Sequence, residues 1–304
     1  MKIIQLRQDI IISGMEHFDP AQIFDCGQCF RFNKEDGGAY SGIAKNRILK
    51  LARVAEGVRI ENMTPETFET EWKNYFALDL DYAAIRRAIA ADACIADALT
   101  YGDGIRLLRQ EPWETMVSFI ISQNNNIPRI KAIIQTLCRR YGEEIESGCF
   151  LFPRPERLAA ATAEALREAG AGYRDAYILD AARKVCSGEI DLDLLERSET
   201  QDARETLMRI NGIGGKVADC ILLFALGRYE VCPHDVWVKR IFKQRYGLSC
   251  VTEKTGYALA RQKWGNYAGI AQQYLFFHER ALAKGAADEN GRDHSGIQSA
   301  AQRT

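Results

Sequence analysis

No run in this chain of 304 residues is apolar for long enough to span a bilayer. The opening MKIIQLRQDIII lacks the build of a signal peptide, since Arg and Asp break its apolar residues and no small-residue cleavage site follows. A cytoplasmic protein without membrane contact is therefore expected. There is no disulfide framework: the nine cysteines are odd in number and scattered. Cys26 and Cys29 form a lone C-x-x-C with no second pair to complete a zinc site, and they read as strand cysteines. There is no internal repeat. There is also no general excess of positive charge, as the net charge is −1. That excludes a protein coated in basic residues but leaves room for one local basic face.

What is present divides into two textures. Residues 1 to about 63 alternate apolar with polar or small residues in IFDCGQCFRF, NRILKLARV and GVRIENM, and Asp36-Gly37-Gly38 marks a turn. This predicts an antiparallel sheet. At Thr64-Pro65 a capping residue and a first-turn proline open a helical pattern. From about 79 to 284 almost everything reads as helix, with a further start at Glu111-Pro112 and a polar break at SQNNNIPRI. The fold class is α+β. The expected organisation is a sheet-bearing unit with flanking helices over 1–110, a helical unit over 111–284, and a disordered tail over 285–304.

The densest stretch is 204–246, with eight basic residues against four acidic ones. In it, Leu207 and Ile210 close one helix face, and Asn211-Gly212-Ile213-Gly214-Gly215 interrupts it. A second helix begins near Lys216 and turns Val217, Cys220, Ile221 and Phe224 inward. This is a helix–hairpin–helix pattern. Gly212, Gly214 and Gly215 can bring backbone N–H groups and a helix N-terminus against a phosphate, a grip that reads the DNA backbone and not its sequence. An ordinary helical corner would look similar. Lys216, at the mouth of the second helix, is either a phosphate contact or a nucleophile. Asp235, in VCPHDVWVKRIF, is a natural helix cap, and it is also placed to face Lys216 across a cleft.

The Gly-rich hairpin, Lys216 and Asp235 resemble the helix–hairpin–helix, Gly/Pro-rich, Asp superfamily of base-excision DNA glycosylases. Within it the chain is similar to the 8-oxoguanine DNA glycosylase/AP lyase family from about residue 10 to residue 280. The segments are CGQCFRF, GIRLLRQEPWETMVSFIISQNNNIPRI, GAGYRDAY, NGIGGKVADCILLFAL with VCPHDVWV, and WGNYAGIAQQYLF.

The resemblance implies an N-terminal antiparallel sheet followed by a helical catalytic core. It implies that Lys216 is the nucleophile forming a Schiff base and Asp235 the essential aspartate. It gives Gly27, Cys220, Gln272 and Phe276 as the base-recognition set. The Gly27 carbonyl would accept from the N7–H that 8-oxoguanine has and guanine lacks. Asn124 and Tyr173 would fill and wedge the gap left by the flipped nucleotide, and Arg129 and Arg174 would read the orphaned cytosine.

The implied partner is duplex DNA containing 8-oxoguanine, bound by a monomer. No cofactor or metal is implied, because the lysine supplies the covalent chemistry. The sequence departs from the family at Asn211 (commonly proline), at Trp237 (often a phosphate-contacting histidine) and at Cys29 (a serine). The Cys-rich iron–sulfur loop of the endonuclease III relatives cannot be built, since only Cys250 lies beyond Cys232. Two other readings stay open: the same scaffold acting on another oxidised or alkylated base, and a non-catalytic DNA-binding module.

Overall fold

The computed structural model describes residues 1–146 and 148–300, with side chains described as far as 285. The chain begins with a six-stranded antiparallel sheet in the order β1-β2-β6-β5-β4-β3. Its strands are β1 (Lys2–Leu6), β2 (Asp9–Ser13), β3 (Asn33–Lys34), β4 (Tyr40–Ala44), β5 (Arg47–Val54) and β6 (Gly57–Ile60). Pairing Ile10 with Ile60 and Ile12 with Val58 puts apolar residues on one face. Leu49 and Leu51, two positions apart on β5, point to that same face. They close a core with Phe24, Phe32, Tyr40, Trp72 and Phe76.

The stretch IFDCGQCFRF is not a strand. Pro20–Asp25 is a helix (α1), and 26–32 is an irregular segment leading into β3. The physical reason lies just upstream. Asp19 accepts hydrogen bonds from the N–H groups of Ala21 and Gln22, and Pro20 occupies the first helical position. Cys26 and Cys29 are accordingly turn residues, not strand residues. The Thr64-Pro65 start does hold: the Thr64 hydroxyl caps by accepting from the Thr67 N–H.

The rest is largely helical and packs as a second, larger core. Its main elements are α2 (Pro112–Ser122), α3 (Ile127–Tyr141), α4 (Asp175–Cys186), α5 (Thr200–Leu207), α6 (Gly215–Phe224), α7 (Val236–Tyr246), α8 (Glu253–Trp264) and α9 (Ala268–Ala300). A short strand pair, Glu144–Glu146 with Cys149–Phe150, interrupts it. Tyr82, Ile85, Ile89 and Leu99, which the sequence assigns to the N-terminal unit, bury into this helical core.

Helix α9 continues to Ala300, through most of the stretch expected to be a disordered tail. The last four positions of that expectation, 301–304, lie outside the described residues. Among the described residues no helix is long and apolar enough to cross a membrane.

The segment after α1 runs along the seam between the two cores. Cys26 and Phe30 belong to the helical core, whereas Cys29 and Phe32 belong to the sheet core. Gly27 sits in that seam.

Candidate active site

Helix α6 presents the lysine. Its N-cap, Gly214, is extended (φ −92°, ψ 179°) and offers no side-chain cap. Among the described residues a methyl group there would meet nothing within 4 Å, so the start of α6 is uncrowded at this residue. The other hairpin glycines have different reasons. Gly212 has φ +82°, and a Cβ on it would strike the Tyr177 ring at 2.3 Å. A Cβ on Gly215 would strike Arg204 at 2.3 Å and Glu253 at 2.5 Å. Of the three, only Gly214 has open space where a side chain would stand. The hairpin is anchored from α4: Asn211 N–H donates to Asp180 at 2.8 Å, and Lys184 donates to the Arg209 carbonyl at 2.6 Å.

Lys216 is half-buried, with Nζ 5.6 Å from the centroid of the Phe119 ring. Phe119 is in turn stacked on Phe224. One turn further along α6, Cys220 is buried. Burial pushes its thiol up to about 12, with the Lys216 charge pulling the other way. A thiol so protonated is an apolar wall and not a nucleophile.

Asp235 caps α7, accepting from the Val238 N–H at 2.8 Å. Burial raises its pKa above the ordinary 3.8, against the Val238 amide and then the Lys216 charge, which pull it down. The carboxylate is therefore a cap and a neighbour of the lysine at once.

The four residues expected to recognise the base come from three separate elements. Cys220 is on α6, Gln272 and Phe276 are on α9, and Gly27 is in the seam. Gln272 and Phe276 stand four residues apart and share a helix face. Gln272 is buried, and among the described residues its Oε1 has no hydrogen-bond partner, which is rare for a buried amide. Gly27 has φ +91°, and a Cβ there would lie 3.3 Å from the Phe276 ring and 2.8 Å from Arg280.

The three asparagines of SQNNN do three things. Asn124 is exposed at φ +47°, a left-handed conformation that costs energy for a residue with a side chain. Asn125 donates to the Ile121 carbonyl, and Asn126 caps α3. Tyr173, 55% exposed, and Arg129, exposed, lie on the surface. Arg174 does not join them, being only 4% exposed. Its guanidinium donates to the carbonyls of Gln123 at 2.9 Å, Asn124 at 3.1 Å and Ala171 at 3.2 Å, and it lies 4.5 Å from the Tyr173 ring centroid. It braces the loop carrying Asn124 from behind. Trp237 is half-buried and carries Arg240 over its ring at 5.1 Å.

Sequence reasoning passed over Asp219, the residue before Cys220 on α6. Its Oδ1 accepts from Arg204 at 2.9 Å, the Tyr257 hydroxyl donates to its other oxygen, and Arg204 also pairs with Glu253. Burial pushes the Asp219 carboxyl up to about 6, with the Tyr257 hydroxyl and Arg204 pulling it down. This cluster ties α5, α6 and α8 together and fixes the helix that bears Lys216. An aspartate inside the apolar run KVADCILLF was the available signal, since a buried acid is almost always paired.

Comparison with known proteins agrees with this geometry. Residues 10–116 match the family model of the 8-oxoguanine DNA glycosylase N-terminal domain. Residues 117–265 match that of the HhH-GPD superfamily of base excision DNA repair proteins. An N-glycosylase/DNA lyase of Saccharomyces cerevisiae is 34% identical over 252 residues, covering 70% of this chain and 67% of the yeast protein. The structure of MBOgg1 with a low-affinity DNA ligand is 40% identical, with a TM-score of 0.89 over 93% of this chain and 99% of that one. The 8-oxoguanine glycosylase/lyase of Clostridium acetobutylicum, solved with double-stranded DNA containing cytosine opposite 8-oxoguanine, is 35% identical. Its TM-score is 0.89, with the same coverage of 93% and 99%. Sequence, fold and both domain models converge, and the chain belongs to the 8-oxoguanine DNA glycosylase family of the helix–hairpin–helix base-excision superfamily.

Proposed function

We infer that this protein is a bifunctional DNA glycosylase and AP lyase that removes 8-oxoguanine, preferably opposite cytosine, from duplex DNA. The observation that carries the reading is the Lys216 amine and the Asp235 carboxylate within electrostatic reach of each other, at the edge of a bare hairpin. The amine lone pair forms a bond to C1′ of the damaged nucleotide as the bond from C1′ to the base breaks, and the base leaves with the electron pair. Asp235 stabilises the positive charge that develops on the sugar. The attached nitrogen gives a proton to the departing base, and its lone pair then breaks the C1′–O4′ bond; O4′ takes up a proton from water, leaving a protonated Schiff base between Lys216 and C1′. Loss of a C2′ proton then expels the 3′ phosphate and cuts the strand, and water releases the lysine.

The flipped base lies between Cys220 and Phe276, with Gln272 reading its Watson–Crick edge. The Gly27 carbonyl accepts from N7–H. Guanine has a lone pair at that position, so both acceptors would be left unpaired. Asn124 and Tyr173 hold the gap, and Arg129 reads the cytosine. Arg174 serves from behind, through the Asn124 loop. Gly214 meets the backbone phosphate. Duplex DNA is the partner of a monomer, and the place of action is chromosomal DNA in the cytoplasm.

Borohydride reduces a Schiff base to a stable amine. The wild-type chain mixed with an 8-oxoguanine duplex should therefore be trapped as a covalent complex, and Lys216→Ala should give none. Trapping by the Lys216→Ala variant, or preference for a pyrimidine lesion in a panel of damaged duplexes, sinks this reading.

A further inference from the structure

Four consecutive carbonyls run through the seam at residues 25–28. Three of them are engaged by long polar side chains from distant parts of the chain. The Asp25 carbonyl accepts from Arg280 Nη2 on α9. The Cys26 carbonyl accepts from Gln273 Nε2, also on α9, at 2.8 Å. The Gln28 carbonyl accepts from Gln110 Nε2 at 2.8 Å. Among the described residues, only the Gly27 carbonyl of the four has no donor within the protein.

The restraint continues below the turn. Gln28 is fully buried: its amide donates to the carbonyls of Ile23 and Arg106, both at 2.9 Å, and accepts from the Leu108 N–H at 2.8 Å. Gln273 is 2% exposed, and its donation to Cys26 is the bond that joins α9 to the turn immediately before Gly27. Buried glutamines are uncommon, and an amide kept inside an apolar helix face must do something that a leucine would not.

We propose that Gln273, with Gln110 and Arg280, forms a clasp that fixes the direction of the Gly27 carbonyl, so that these three are specificity-determining positioning residues for lesion choice. A peptide plane turns about its two ends. Gln273 holds the carbonyl before Gly27 and Gln110 holds the carbonyl after it, so the plane between them cannot rock. A hydrogen bond that discriminates by one proton needs its acceptor held to within about 0.5 Å. The clasp also joins discrimination to base reading, because Gln273 is the next residue after Gln272 on the same helix. The proposal rests on the role given above to Gly27.

The test uses the full chain and two reactions. One is single-turnover excision from a duplex with 8-oxoguanine opposite cytosine. The other is strand cleavage at a preformed abasic site, which requires Lys216 but no base recognition. Gln273→Met keeps the length of the side chain and removes the donor. Excision should fall about tenfold, the worth of one hydrogen bond, while abasic cleavage stays within about twofold. Gln110→Met should act in the same way from the other side of Gly27.

Gln273→Glu adds a signature that a purely structural role would not produce. A protonated carboxyl can donate to the Cys26 carbonyl and a carboxylate cannot. Its excision relative to wild type should therefore recover as the pH falls from about 8 to about 6. Unchanged excision in Gln273→Met overturns the proposal, as does an equal loss in both reactions. If Gln273→Met does not fold, a flat relative pH profile for Gln273→Glu overturns it. A wild-type chain that leaves 8-oxoguanine untouched would instead defeat the proposed function, an outcome visible before any variant is made.

Discussion

Two glycine turns frame the site, and they make opposite demands on their residues. The turn at Gly27 is roofed: an added methyl would lie 2.8 Å from Arg280 and 3.3 Å from Phe276, and the carbonyls on either side are tied. The hairpin at Gly214 is bare, with nothing within 4 Å of an added methyl. The interior turn holds one acceptor still, and the surface turn keeps its amides uncovered. Under the proposed function, choice of base and grip on the strand rest on different physics, immobility in one case and access in the other, and they should fail separately.

The largest expected effect is at the interior turn. Gly27→Ala places a side chain at φ +91°, a strain of about 1–3 kcal/mol, and pushes it against Phe276 and Arg280. Excision of 8-oxoguanine should fall about a hundredfold, the rate equivalent of that strain spent at the discriminating contact. Cleavage of a preformed abasic site should be kept. Parallel loss of both reactions would erase the distinction between the turns.

At the surface turn, Gly214→Ala should leave thermal stability within about 0.5 kcal/mol of wild type, because the methyl enters open space. Affinity for duplex DNA should drop about threefold to tenfold, equally for damaged and undamaged duplexes, as expected of a phosphate contact. A loss confined to the damaged duplex would break the comparison from the other side.

The smallest change expected in the wild-type chain is a shift of its pH dependence, and it concerns Asp235. Burial holds its carboxyl above the ordinary 3.8. The ionised form carries the activity, so protonation on acidification removes it. The acid limb of the excision rate should therefore lie above the range of an ordinary aspartate, and Asp235→Asn should lack that limb along with most of the rate. An acid limb at or below 3.8 would show that Asp235 is not the group being titrated.

Local chemistry made much of this legible. Caps at Thr64 and Asp235 mark helix starts that the structure keeps. The hairpin and Lys216 stand out because glycines and a lysine interrupt an otherwise apolar helical pattern. Helix α1 was misread because the alternation in IFDCGQCF looked like a strand, although Asp19-Pro20 carries the stronger signal.

The rest depended on contacts that no local pattern encodes. Gln273 and Cys26 are 247 positions apart, and neither is unusual in its own neighbourhood. Gln272 and Phe276 have helical spacing common to any buried face, and only resemblance singled them out. The bracing role of Arg174 was likewise out of reach of the sequence, since its guanidinium holds carbonyls of Gln123 and Asn124 some fifty positions away.

The seam at residues 26–32 has a consequence for how this protein ages under heat or denaturant. Its side chains are shared between the sheet core and the helical core, so any slippage of one against the other is felt there first. Lys216, Asp235 and the Asp219 cluster lie within the helical half and do not share that exposure. A partly loosened molecule would still nick abasic sites after losing its preference among intact bases. In a repair enzyme the fidelity would melt before the blade.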